Sequence, residues 1–257
     1  MFTDETRREI AAIANDLELE PEALLAIAEV ESGGKGFAIV GGRPEPLIRF
    51  EGHYFDRRLS PANRQRARAD GLASPAAGAV ANPRTQAGRW ALLAKACAID
   101  ASAANESVSW GIGQVMGAHW AWLGYADVDA LVAEARCGVA GQVRLMARYI
   151  EKAGLTAAVR RRDWEAFARG YNGPQYRRYG YHRKLAAAYH RFRAESGEPL
   201  PEKRNTALRI PRSPARKALP ATAIPTKTQT QTRTVRPVKP RFWNRLARTF
   251  SSFLGRG

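Results

Sequence analysis

Apolar residues recur at helical spacing through most of the first 198 positions. Ile10, Ile13, Ala14 and Leu17 mark a helix over residues 4–16. A second follows over 21–32, with Pro21 at its first position and two glycines just past its end. At roughly 100° per residue, Ala23, Leu24, Ile27, Ala28 and Val30 fall on one side of it. Glu31 lands in the middle of that stripe, while Glu22 and Glu29 project together from the opposite side. The pattern changes over residues 36–51, where two short β-prone runs flank a Gly41-Gly42-Arg43-Pro44 turn and predict a small hairpin that closes at Glu51. The Ala/Gly/Arg-rich stretch 62–82 reads as helix with loops. Further helices are expected at 84–101, 127–136, 138–153, 163–170 and 180–195. No internal repeat is visible. The fold class is therefore mainly α, with a small β-hairpin.

The periodicity stops near Ser196. From there to Pro240 the chain holds eight of its fifteen prolines, with threonine, basic residues and few large apolar ones. Such a segment cannot bury enough surface to offset its ordering entropy, so residues 199–240 are expected to be a disordered linker. Periodicity returns over 241–257. There Phe242, Leu246, Phe250, Phe253 and Leu254 form an apolar stripe, with Arg241, Arg245 and Arg248 largely outside it. A cationic amphipathic helix is expected. Three units follow: a body over 1–198, the linker over 199–240 and the terminal helix over 241–257.

Charge sharpens this division. The chain carries a net +17, but 14 Lys/Arg stand against one acid, Glu202, from Pro199 onward. Residues 1–198 hold 27 basic and 23 acidic side chains, so the body is nearly balanced and the tail is the polycation. A polycation attracts nucleic acid through its phosphates; with no readout module in the tail, that binding is incidental. The tail suits an anionic outer membrane or lipopolysaccharide surface, or acts as a solvated leash near an anionic wall. Cys97 and Cys137 are too few for a disulfide framework or a metal site and are expected as buried free thiols. The first ten residues lack a signal-peptide pattern, and no apolar run approaches the roughly 18–20 residues of a membrane span. The chain is expected to be a soluble, cytoplasmic monomer that reaches any extracellular target by another route.

Glu31 is the first candidate for chemistry. A carboxyl group held among apolar neighbours resists ionisation and keeps a proton near neutral pH, as a general acid must. The competing reading is a frayed last turn with Glu31 in water. Glu51, followed by Gly52, His53, Tyr54 and Phe55, is a candidate second carboxylate, since glycoside cleavage uses two; alternatively it pairs with Arg49 or Arg57. Ser109 and the Trp110-Gly-Ile-Gly-Gln114-Val-Met116 run contain glycines that let another chain approach the backbone. Gln114 and Met116 could line a sugar groove, or Trp110 and Met116 could be core. Tyr171 and Asn172 end a helix before Gly173-Pro174, as turn residues do.

The order of these pieces is more telling than any one of them. Glu29–Ser32, Gly34–Phe37, Gly42–Pro44, Phe50–Phe55, Ser109–Gly111 and Gln114–Gly117, followed by Tyr171 and Asn172, resemble the lysozyme-like superfamily. Within it they resemble the N-acetylmuramidase family found in phage endolysins. The resemblance covers about residues 8–195. The Ala/Arg/Gly-rich stretch near 62–82 and the cationic tail depart from it. It implies an α+β lysozyme-like fold, peptidoglycan glycan strands as substrate, Glu31 as the acid and Gln114, Tyr171 and Asn172 near the sugar, leaving the second carboxylate less defined. Hydrolysis of the β-1,4 bond between N-acetylmuramic acid and N-acetylglucosamine is expected. A lytic transglycosylase and an inactive binding module with an active tail are the alternatives. No metal or nucleotide motif occurs, so no cofactor is expected. As in phage lysis, such a protein would wait in the host cytoplasm and reach the periplasm and wall after membrane permeabilisation.

Overall fold

The computed structural model describes residues 2–197. The expected linker and terminal helix lie outside these described residues. Helix α1 (Asp4–Asp16) starts at Thr3, whose hydroxyl accepts the Thr6 amide, a side-chain N-cap. It packs on α2 (Pro21–Ser32), which begins at a proline and ends at Gly33 in the left-handed region, with φ +66°. The helix α2 is buried nearly all round, with Leu25 and Ala26 as enclosed as Leu24 and Ile27. The reason is that α11 (Tyr181–Ser196) packs on it as well as α1.

That packing corrects one expectation. Glu22 does not project into water; it is buried 3.7 Å from Arg193 of α11. Glu29 pairs with Arg191 of the same helix at 2.6 Å. The acidic side of α2 is thus a seam to a basic helix. Periodicity in one helix cannot reveal a charged partner supplied 160 residues later.

The β structure also differs from the sequence reading. Strands β1 (Phe37–Val40) and β2 (Arg43–Pro46) form the expected hairpin, in the register Phe37 to Pro46 and Val40 to Arg43. Its turn is only Gly41-Gly42, both at positive φ, so Arg43 and Pro44 belong to the strand. Glu51 does not close this hairpin. It follows β3 (Ile48–Phe50), which belongs to a second antiparallel sheet with β4 (Val108–Trp110) and β5 (Val115–Met116), in the order β3-β4-β5. The stretch after α3 (Gly52–Arg58) and α4 (Pro61–Ala69) supplies the outer edge of β3. Asn82 accepts the Phe50 amide at 2.9 Å and donates to its carbonyl at 2.7 Å. Gln86 accepts the Ile48 amide, and Arg89 donates to the Ile48 carbonyl. Side chains thereby pair the backbone groups of an edge that no neighbouring strand covers.

The expected helix at 84–101 breaks into α5 (Gln86–Cys97) and α6 (Ala101–Glu106), because Asp100 caps a new start by accepting the Ala103 amide. The remaining helices are α7 (Val128–Arg136), α8 (Gly138–Lys152), α9 (Thr156–Arg160) and α10 (Trp164–Tyr171). Both cysteines are free thiols, but Cys137 is exposed and Cys97 half-buried, so neither is the fully buried thiol expected. No helix of the described residues is long and apolar enough to cross a membrane.

Candidate active site

The site is built around the last turn of α2. Glu31 is only 4% exposed. It therefore does not reach water from a frayed end. Burial pushes its pKa from the ordinary 4.5 up to about 7, opposed by a hydrogen bond from Asn172 and the positive charge of Lys184. The Asn172 amide nitrogen donates to Glu31 Oε1 at 2.7 Å, a short bond to an ionisable acceptor. Asn172 sits where it does because α10 ends there, its amide bonding the Ala168 carbonyl. The preceding Tyr171 is fully buried, stacks on Phe167 at 5.1 Å and donates its hydroxyl to the Gly113 carbonyl at 2.7 Å. One helix end thus fastens both the acid and the glycine-rich β4–β5 connection.

Of the residues singled out from sequence, Gln114 lies in that connection and Ser109 and Met116 in the strands on either side of it. Gln114 adopts φ +48°, and its amide nitrogen donates to the carbonyls of Gly111 at 2.8 Å and Leu47 at 3.4 Å. Its donors hold the loop against the segment before β3. Ser109 and Met116 face each other across the β4–β5 register, the hydroxyl 3.1 Å from the thioether sulfur, and both are buried. The fold brings Asn172 onto Glu31 and Tyr171 onto Gly113. It places Ser109 and Met116 within the sheet behind the loop. The glycines serve close approach: a Cβ at Gly113 would meet Met146 at 2.6 Å, and one at Gly117 would meet the Asn105 carbonyl oxygen at 2.2 Å.

Glu51 caps α3 at the end of β3 and is buried with its own partners. Arg49 Nε donates to Oε1 at 2.8 Å, and His53 Nδ1 lies 3.6 Å from Oε2. Burial raises its pKa, and the Arg49 charge pulls the other way. The pairing with Arg49 weighed from sequence is present, although inside the protein rather than on its surface. Arg57 stacks over Tyr54 instead. Tyr181 is buried on α11: burial, then the Glu31 charge, raises its pKa, while the Arg49 charge lowers it. Sequence reading missed Tyr181 and Lys184, which stand one helical turn apart on α11; only the packing of α11 on α2 turns them towards Glu31.

A mainly helical fold with two small antiparallel sheets, and a buried carboxyl at the end of one of its helices, belongs to the lysozyme-like class. The N-acetylmuramidase family model matches residues 20–193, and the chain belongs to that family of peptidoglycan-degrading enzymes. Among solved structures it is similar to the crystal structure of the Burkholderia AP3 phage endolysin. The two are 32% identical over 73% of this chain and 71% of that one, with a TM-score of 0.64. No curated protein matches the chain.

Proposed function

We propose that the protein is a muramidase that hydrolyses the β-1,4 bond between N-acetylmuramic acid and N-acetylglucosamine, with Glu31 as general acid. The observation carrying this is the buried, singly hydrogen-bonded Glu31 carboxyl with its pKa near 7. A group so poised gives its proton to the leaving glycosidic oxygen as the bond breaks. Asn172 holds the carboxyl in place, and its own buried Oδ1 has no hydrogen-bond partner among the described residues, leaving an acceptor beside the acid. Glu51, its anion supported by Arg49, is the second carboxylate. It would stabilise positive charge at the sugar or direct water onto it. Gln114 and Tyr171 shape the loop against which the strand lies, with Ser109 and Met116 behind it.

One observation favours a second reading. Glu51 is already engaged by Arg49 and His53, and a lytic transglycosylase needs one acid/base carboxyl and no second. Mass spectrometry of released muropeptides separates the two. Hydrolysis yields reducing N-acetylmuramic acid ends; intramolecular closure yields 1,6-anhydro ends lighter by one water. Exclusively anhydro products would overturn hydrolysis, and no release from purified peptidoglycan would overturn the enzyme reading in favour of a binding module.

The tail proposal rests on charge. Its 14 basic residues against one acid would bind an anionic outer membrane or lipopolysaccharide once the enzyme leaves the cytoplasm through a permeabilised membrane. Like phage endolysins, it would then act from the periplasm on the wall.

A further inference from the structure

We propose that Gln142 of α8 is a positioning residue for the reaction: its side-chain carbonyl fixes the Gly111–Gln114 turn, and through that turn the helix end that holds Glu31. The proposal rests on the muramidase reading above. The Gln114 amide closes the turn on the Gly111 carbonyl at 3.1 Å, and the Gly111 amide ties it to the Leu47 carbonyl at 2.8 Å. The next amide belongs to Ile112, which is fully buried and needs an acceptor of its own. Gln142 supplies it, its Oε1 accepting the Ile112 N–H at 2.9 Å. This side chain is 1% exposed and comes from a helix 30 residues further along the chain.

The face of α8 that carries Gln142 lies directly against the backbone of the turn. A Cβ at Gly111 would meet Gln142 Cγ at 2.8 Å, and Met146, one helical turn further on, crowds Gly113 in the same way. From α10, Tyr171 donates its hydroxyl to the Gly113 carbonyl. Three short hydrogen bonds then run in series: Gln142 with Ile112 at 2.9 Å, Gly113 with Tyr171 at 2.7 Å, and Asn172 with Glu31 at 2.7 Å. Between them lie only the peptide linking Ile112 to Gly113 and the one linking Tyr171 to Asn172. Helix α8 also packs on α1, and α1 on α2, so the turn and the acid share one frame of helices. The Gln142 Nε2 is buried with no hydrogen-bond partner among the described residues. Only the oxygen of this amide is used. An acid must meet its glycosidic oxygen within a narrow geometry, and a displacement of about 1 Å can cost a hundredfold in rate.

The test is steady-state cleavage of solubilised, uncrosslinked peptidoglycan strands by the full chain near pH 6. Gln142→Met keeps the length of the side chain and removes the acceptor. Its kcat should fall about tenfold, the rate equivalent of one hydrogen bond, with KM changed by less than about threefold. Gln142→Glu keeps an oxygen acceptor and loses only the unpartnered nitrogen; a carboxyl so buried holds its proton at that pH, and most of kcat should return. Gln142→Leu takes the place of the methionine variant if that one does not fold. Tyr171→Phe removes the hydroxyl from the same turn, so the double variant should lose little more than the worse single one. An unchanged kcat with only a lower melting temperature, a loss confined to KM, no recovery with glutamate, or losses that multiply in the double variant overturns the positioning role. A parent enzyme that leaves the strands uncut refutes the muramidase reading instead, so the two failures are distinct.

Discussion

Replacing Glu31 by Gln should stabilise the protein in alkali and leave it nearly unaffected in acid. The side chain is buried with its pKa raised from 4.5 to about 7, so the native state favours the protonated form. Its stabilising contribution is fully present below pH 4.5 and is lost as pH rises through 7. Each pH unit of that window corresponds to about 1.4 kcal/mol, so ionising Glu31 costs the fold about 3 kcal/mol above pH 8. Glutamine cannot ionise, and its carbonyl oxygen can still accept the Asn172 amide now bonded at 2.7 Å. For a domain of this size about 1 kcal/mol moves the melting temperature by roughly 2–4 °C. The variant should therefore melt up to about 10 °C above the parent near pH 8, and within about a degree of it near pH 4. Thermal unfolding of both proteins at the two pH values measures this, and the difference between differences removes groups the substitution does not touch. An equal gap at both pH values, or a variant less stable than the parent in alkali, would refute a buried, protonated acid.

Activity should follow the same group. The kcat/KM profile should fall on its alkaline side with a midpoint near 7, as Glu31 loses the proton it must donate; a flat profile to pH 9 would count against it. Asn172→Ala removes a hydrogen bond that lowers the Glu31 pKa, so that midpoint should move up while the rate falls, and a downward move contradicts the arrangement. Gly117→Ala should destabilise the fold by about 1–3 kcal/mol, since its Cβ would sit 2.2 Å from the Asn105 carbonyl oxygen; an unchanged denaturant midpoint would show the loop to be slack. Deleting residues 199–257 removes a net +13; hydrolysis of purified peptidoglycan should persist while action on intact Gram-negative cells weakens, and equal potency on intact cells would reject an envelope role for the tail.

The burial of Glu31 is legible from one helix, where the local pattern carries it: proline start, glycine stop, apolar stripe, carboxylate within it. The second sheet was not legible. Its strand β3 is three residues long and pairs with β4 about sixty positions away, and short apolar runs carry no period that distinguishes a strand from the end of a hairpin. Glu51 stands out in the sequence as a candidate, but its setting does not, since Arg49 reads equally well as a surface charge until β3 is seen to be enclosed. Tyr181 and Lys184 were hidden for another reason. A long helix such as α11 presents several faces, and which one meets Glu31 is decided by the packing of α2, where Glu22 and Glu29 meet Arg193 and Arg191. Those acids look solvent-facing in α2 alone, so the clue to the contact lay in two distant segments read together.

The most direct measurement is the initial rate at which the full-length Glu31→Gln protein releases fragments from purified peptidoglycan near pH 6, against the parent. With a folded variant, loss of the general acid should slow cleavage by about a hundredfold or more. Cleavage within about threefold of the parent would mean that the proton comes from elsewhere.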